Sequence, residues 1–164
     1  MKLIWCKSWA PESSLVRMTK FKSVLSDWDI AGQIASLLNA NNRLTKTHSA
    51  KTIINDPALY FVEFSGSVVI GCVGLQKTAP MDKIIHLSVH NDYRRYGIAK
   101  KLMQAALTNS NHDVLYMSVR EDNNACLNLA KHYGFNPVAY IPKPTYNILS
   151  LCLFRRNNVI NRYE

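Results

Sequence analysis

The stretch Val89-His90-Asn91-Asp92-Tyr93-Arg94-Arg95-Tyr96-Gly97-Ile98-Ala99 reads as the end of a strand, a short loop and the start of a helix. Upstream of it, Ile84 to Val89 is short, apolar and rich in branched side chains, as a buried strand should be. Downstream, Ile98, Leu102, Met103, Ala106 and Leu107 recur at helical spacing, so the period changes at Gly97. A helix start has backbone N–H groups without partners and carries the positive end of the peptide dipole. It is therefore an anion site, for phosphates above all. Gly97 lets the backbone approach a ligand closely, and Ala99 keeps the next turn slim.

The 164 residues, 48% of them apolar, suffice for one domain with a real core and are too few for two, so residues 1–164 are expected to form a single domain. Cys6, Cys72, Cys126 and Cys152 show neither CxxC nor Cys/His metal spacing, which points to reduced thiols in a cytoplasmic protein with no metal site. Lys2 and Lys7 interrupt the apolar opening, and no window reaches the length of a membrane span; neither export nor insertion is expected. A net charge of +9 favours an anionic partner, such as a phosphorylated cofactor, a nucleic acid or an acidic protein face. The basic residues are scattered, with short runs only at Arg94-Arg95, Lys100-Lys101 and Arg155-Arg156, so charge alone does not choose between these partners.

Along the chain, Leu15 to Met18 is a candidate edge strand. Ser26, followed by Asp27 and Asp29, has the form of a helix N-cap, and Trp28, Ala31, Ile34, Ala35 and Leu38 predict an apolar face on a helix ending near Asn41. A shorter helix over Ser49 to Ile54 is closed by Asn55-Asp56-Pro57, with His48 beside it at the surface. Leu59 to Phe64 and Val68 to Leu75 read as a hairpin joined by Ser65-Gly66-Ser67, and Gly71 and Gly74 mark a bulge. Val114 to Val119 is the next strand; Ala125, Cys126, Leu129, Ala130 and Tyr133 share a helix face, and Gly134-Phe135 stops that helix. Pro142-Lys143-Pro144 is expected to be a rigid loop before a last strand, Asn147 to Phe154. This order implies a mixed α/β sheet, with parallel strands where a helix crosses over.

The pattern Arg94-x-x-Gly97-x-Ala99 resembles the pyrophosphate-binding signature of the GNAT acyltransferase superfamily, Gln/Arg-x-x-Gly-x-Gly/Ala. A second block, Leu115-Tyr116-Met117-Ser118-Val119-Arg120, Asn123, Leu129 and Gly134-Phe135, is similar to that family's later strand, asparagine and Gly-Phe run. The two blocks stand in the family's order, one helix and one strand apart, and the resemblance spans about residues 59 to 155. It implies a mixed, mostly antiparallel sheet with a splayed central parallel pair and helices on both faces. It also implies acetyl-CoA, or another acyl-CoA, as cofactor. Leu87 and Val89 would then offer backbone groups to the pantetheine arm. The amides of Arg95, Tyr96, Gly97, Ile98 and Ala99 would hold the pyrophosphate, Arg94 would border that cradle, and Asn123 would bond the pantetheine side.

The chain departs from its relatives in the acid–base positions, carrying Lys83 and Ile85 before the phosphate loop, Ser118 where a glutamate is common, and Ala130 where a tyrosine is common. Ser118, through a water relay, and Tyr133, one turn past Ala130, are the candidate replacements, each also accountable as a structural residue. His86 points away from the face of Leu87 and Val89 by strand alternation, as a core or supporting histidine. Tyr140 and Tyr146 either line an acceptor site or simply pack. The leading expectation is an N-acyltransferase acting on an amine of a small molecule or protein, with homodimer formation left open. A nucleic-acid acyltransferase and a cofactor-binding module without turnover remain as alternatives.

Overall fold

The computed structural model describes residues 2–5, 25–41 and 46–155. In chain order the elements are β1 (Lys2–Trp5), α1 (Asp27–Asn41), α2 (Ala50–Ile54), β2 (Leu59–Ser65), β3 (Val68–Gln76), β4 (Asp82–Val89), α3 (Ile98–Asn109), β5 (Val114–Arg120), α4 (Asn124–His132), β6 (Asn136–Pro142) and β7 (Asn147–Phe154). A single 3-10 turn, Asn91–Tyr93, separates β4 from the loop that opens α3. The strands form one sheet in the order β1-β2-β3-β4-β5-β7-β6. Neighbours are antiparallel except for the β1/β2 and β4/β5 pairs.

Strand alternation divides the core. Phe61, Val73, Leu75, Leu115, Met117 and Val119 face α3 and α4, while Tyr60, Val62, Cys72 and Val69 face α1 and α2. The sheet is thus covered on both faces, as the sequence resemblance implies. Ser26 caps α1 as its position suggests, its Oγ accepting from Asp29 N at 3.1 Å, and Ile30, Ile34 and Leu38 are buried beneath. Trp28 is the exception: helical spacing places it on the apolar face, but in the first turn it remains 56% exposed.

The central feature is the brevity of the β4/β5 pairing. It holds at Asp82–Leu115, Lys83–Tyr116 and Ile84–Met117 and no further. Yet β4 stays paired with β3 out to Val89, and β5 with β7 out to Arg120. The two parallel strands therefore separate in a V whose arms remain anchored on their outer sides. A buried cluster fastens the vertex. Ser110 Oγ, at the end of α3, donates to Asp82 Oδ2 at 2.6 Å, and His112 Nδ1 lies 2.8 Å from Asp82 Oδ1. Burial alone would raise the Asp82 pKa, but these hydrogen bonds and the His112 charge outweigh it and hold the carboxyl below the usual range.

A bulge re-aims β4. Gly74 pairs with Ile85 and Cys72 with Ser88, so two residues, His86 and Leu87, oppose the single Val73, and His86 takes φ +56°. Ile84, Leu87 and Val89 all pack toward α3 as a result, which unbroken alternation would forbid. His86 turns to the other face and meets Tyr60, as alternation from Leu87 and Val89 suggests. The expected bulge at the glycines is present, and each glycine permits a close approach. A Cβ on Gly71 would fall 2.8 Å from Ile98 Cγ2, and one on Gly74 would fall 2.8 Å from Ile85 Cγ1.

Two elements escape the sequence reading. Pro142, expected in a loop with Lys143 and Pro144, is instead the last residue of an edge strand, β6, where it pairs antiparallel with Asn147 of β7. β1 is a four-residue strand parallel to β2. The candidate strand Leu15 to Met18 lies outside the described residues. Among the described residues no helix is long and apolar enough to cross a membrane.

Candidate active site

The opening of the V leads into a cleft of about 950 Å³ that runs from the ends of β4 and β5 to the starts of α3 and α4. Leu87, Val89, Arg94, Arg95, Gly97, Ile98, Ala99 and Asn123 all line it. Tyr96 does not; its side chain stands outward, 76% exposed.

The loop between β4 and α3 has the backbone geometry of an anion cradle. Arg95 and Gly97 adopt φ +71° and +79°, which curls the chain ahead of the helix. Gly97 caps α3 without any side-chain hydrogen bond, and the helix ladder begins with Lys101 N donating to Gly97 O at 3.1 Å. The amides of Ile98, Ala99 and Lys100 precede that bond and have no acceptor within the helix. A Cβ built on Gly97 would meet no atom within 4 Å, so the space beside the cradle is open. Arg94 ties the loop down, its Nε donating to Val89 O at 3.2 Å and its Nη2 to Asn41 Oδ1 at 3.4 Å. Tyr93 adds a third tether, Oη to Ser65 Oγ at 3.2 Å.

On the opposite wall Asn123 is the N-cap of α4. Its Oδ1 accepts from Cys126 N at 3.2 Å, which leaves its NH₂ group for a ligand. Arg120 lies between this cleft and a smaller cavity of about 190 Å³ lined in part by Glu121, Tyr146 and Asn147. Its guanidinium is fixed by a bidentate pair with Asp122, 2.9 and 2.8 Å, and lies over the Tyr146 ring at 4.5 Å. Tyr146 therefore stands beside the cleft, whereas Tyr140 lies on β6, 54% exposed.

The acid–base candidates are placed differently. Ser118 is exposed on β5, on the face opposite Met117 and Val119, and is not in the cleft lining. Tyr133 is also outside the lining; its Oη donates to Lys100 O at 2.9 Å, fastening α4 to the first turn of α3. His86 Nδ1 lies 2.5 Å from Tyr60 Oη, with His48 edge-on to the imidazole at 4.7 Å. Burial, then the neighbouring His48, pushes the His86 pKa down to about 4, so the ring is neutral at physiological pH. Cys126 lines the cleft, but burial pushes its thiol up to about 11, which argues against a thiolate nucleophile. Asn41, Ser88, Tyr93 and Arg120 also line the cleft; the sequence reading quoted Tyr93 and Arg120 within its two motifs but gave none of the four a binding role. No local pattern marks Asn41, which reaches Arg94 across 53 positions of sequence.

A V-shaped gap between parallel strands, ending at a glycine-capped helix start, defines an acyl-CoA-dependent acyltransferase fold. The acetyltransferase (GNAT) family model matches residues 25–135, and the chain belongs to that family. Among particular relatives, the N-alpha-acetyltransferase RimI of Mycobacterium tuberculosis is 32% identical over 78 residues, 45% of this chain and 49% of that protein. The chain thus matches about half the length of this curated relative. A ribosomal-protein-alanine N-acetyltransferase from Escherichia coli shares the fold with TM-score 0.69 and 18% identity, covering 85% of this chain and 96% of the other. The putative acetyltransferase yncA from Salmonella typhimurium, a structure with its cofactor acetyl-CoA, gives TM-score 0.68 and 14% identity over 83% and 94% of the two chains.

Proposed function

We propose that this protein transfers an acyl group, most simply acetyl, from a CoA thioester to an amine, with the α-amine of a protein as the leading acceptor. The observation that carries the reading is the cleft that opens where β4 and β5 part and ends at the unpaired amides of α3. The likeness to an N-alpha-acetyltransferase over the 78 matched residues supports the choice of acceptor. Free cysteines at 72, 126 and 152 suit a cytoplasmic enzyme.

The residues fit the cofactor. The curled loop from Arg95 to Ala99 would hold the diphosphate through backbone N–H groups, with Arg94 and Lys100 adding positive charge. The free edge of β4 at Leu87 and Val89, turned toward α3 by the bulge, would receive the pantetheine amides, and the NH₂ of Asn123 would reach them from α4. When bound, the thioester would supply an activated acyl carbon to the amine nitrogen, its C–S bond being the one broken and its sulfur leaving as a thiolate that takes up the proton the amine loses. The protein contributes position above all: both reactants are held in one gap, and a main-chain amide on β4 steadies the developing oxyanion. Ser118, exposed on β5 outside the cleft lining, would relay the amine's proton only through intervening water. Tyr133, its hydroxyl proton engaged with Lys100 O, would hold the α3/α4 spacing, and it would have to release that bond to protonate the departing thiolate.

The test is a screen of acetyl-CoA with protein N-terminal peptides, small amines and nucleic acids, followed by thiol release and acceptor mass. Saturable acetyl-CoA binding with acetylation of a peptide α-amine is expected. Failure to bind acetyl-CoA would remove the proposal, and transfer to nucleic acid alone would reassign the acceptor.

A further inference from the structure

Buried polar atoms without a hydrogen-bond partner are scarce in folded proteins and call for a reason. Among the described residues, the buried side-chain ones are Asn41 Nδ2, Glu63 Oε1 and Ser88 Oγ. Two of the three belong to residues lining one cleft. Asn41 ends α1, and Ser88, 5% exposed, sits on β4 between Leu87 and Val89.

The orientation of the Asn41 carboxamide follows from chemistry. A guanidinium has only donors, so the atom facing Arg94 Nη2 must be the carboxamide oxygen. Arg94 is itself fixed through Val89 O, which leaves the Asn41 NH₂ turned from Arg94, buried and without an acceptor. Any acceptor oxygen would satisfy it, and β4, which Arg94 joins through Val89 O, is the strand along which the proposed pantetheine arm would present amide carbonyls. We infer that Asn41 is a cofactor-binding residue, its Nδ2 donating to an amide carbonyl of the pantetheine arm while Ser88 Oγ gives a second polar contact from the floor. This inference rests on the acyl-CoA reading above and assigns a part of α1 to cofactor recognition.

Asn41→Asp isolates the claim, because a carboxylate keeps an acceptor for Arg94 and removes the NH₂ donor. Calorimetric titration of wild type and variant with CoA and with 3′-phosphoadenosine 5′-diphosphate, which lacks pantetheine, separates the contributions. The expected result is an affinity for CoA about tenfold weaker, as for one lost hydrogen bond, with the truncated ligand unchanged within about twofold. Asn41→Ser, checked by thermal melting, serves as a second variant free of added charge and should lose CoA affinity alike. Equal losses for both ligands would show that Asn41 acts through the phosphate loop and overturn the inference, as would unchanged CoA binding in both variants. A wild-type protein that does not bind CoA would instead sink the underlying acyl-CoA reading.

Discussion

Gly97→Ala separates backbone strain from cofactor binding. Gly97 sits at φ +79° with nothing within 4 Å of a would-be Cβ, so the added methyl finds room and the cost to the fold is conformational. An L-residue in the left-handed region loses roughly 1–2 kcal/mol. The same methyl also stands in the open space where the diphosphate would approach, and relaxing the strain would turn the neighbouring N–H groups off target. Losing one charge-assisted hydrogen bond of about 1.5–3 kcal/mol weakens binding roughly 10- to 150-fold. Gly66 provides the control. It has φ +61°, likewise meets nothing within 4 Å, and lies in the β2–β3 turn outside the cleft lining. Chemical denaturation should show Gly97→Ala and Gly66→Ala destabilised alike, whereas calorimetry with acetyl-CoA should show the affinity loss in Gly97→Ala alone. If Gly97→Ala binds acetyl-CoA within about twofold of wild type, the amides around it do not grip the diphosphate.

Asp82→Asn should cost about 1–3 kcal/mol at pH 7, because the vertex cluster loses charged hydrogen bonds in a buried setting. The folded-state pKa of Asp82 is lowered, so its contribution is present above the unfolded value and lost as pH falls through the folded one; urea melts should show the gap to the variant closing under acid. Glu63 has the opposite sign: burial, only partly offset by Lys101, raises its pKa, so its ionisation opposes folding as pH rises through the folded value. Glu63→Gln should therefore gain on wild type in melts taken from pH 4 to pH 8. Gly71→Ala forces a methyl to 2.8 Å from Ile98 Cγ2 and 3.0 Å from Leu102 Cδ1; a loss of about 1–3 kcal/mol in denaturant titration is expected, together with weaker acetyl-CoA binding as α3 shifts.

Features with a local chemical cause were legible in the sequence. Ser26 and Asp29 announce α1 by capping, Gly97 announces the period change, and Gly71 with Gly74 announces the bulge. What escaped depends on contacts distant in sequence or on surfaces without a burial signature. β6 contains Pro137 and Pro142, and every residue in it is exposed, so no alternation betrays it. Trp28 carries the right spacing but falls in a turn that the core does not cover. Tyr133 packs on the helix face that its spacing suggests, yet the partner of its hydroxyl, Lys100 O, lies 33 residues away. Asn41 is a cleft residue only because Arg94 folds back over the end of β4 to meet it.

Amide hydrogen exchange with and without saturating acetyl-CoA tests the central claim most directly. Exchange at residues 95–99 should slow by at least about tenfold on binding, while the Gly66 turn is unaffected. Binding that leaves the amides of residues 95–99 exchanging at their free rate would place the cofactor elsewhere and contradict the account.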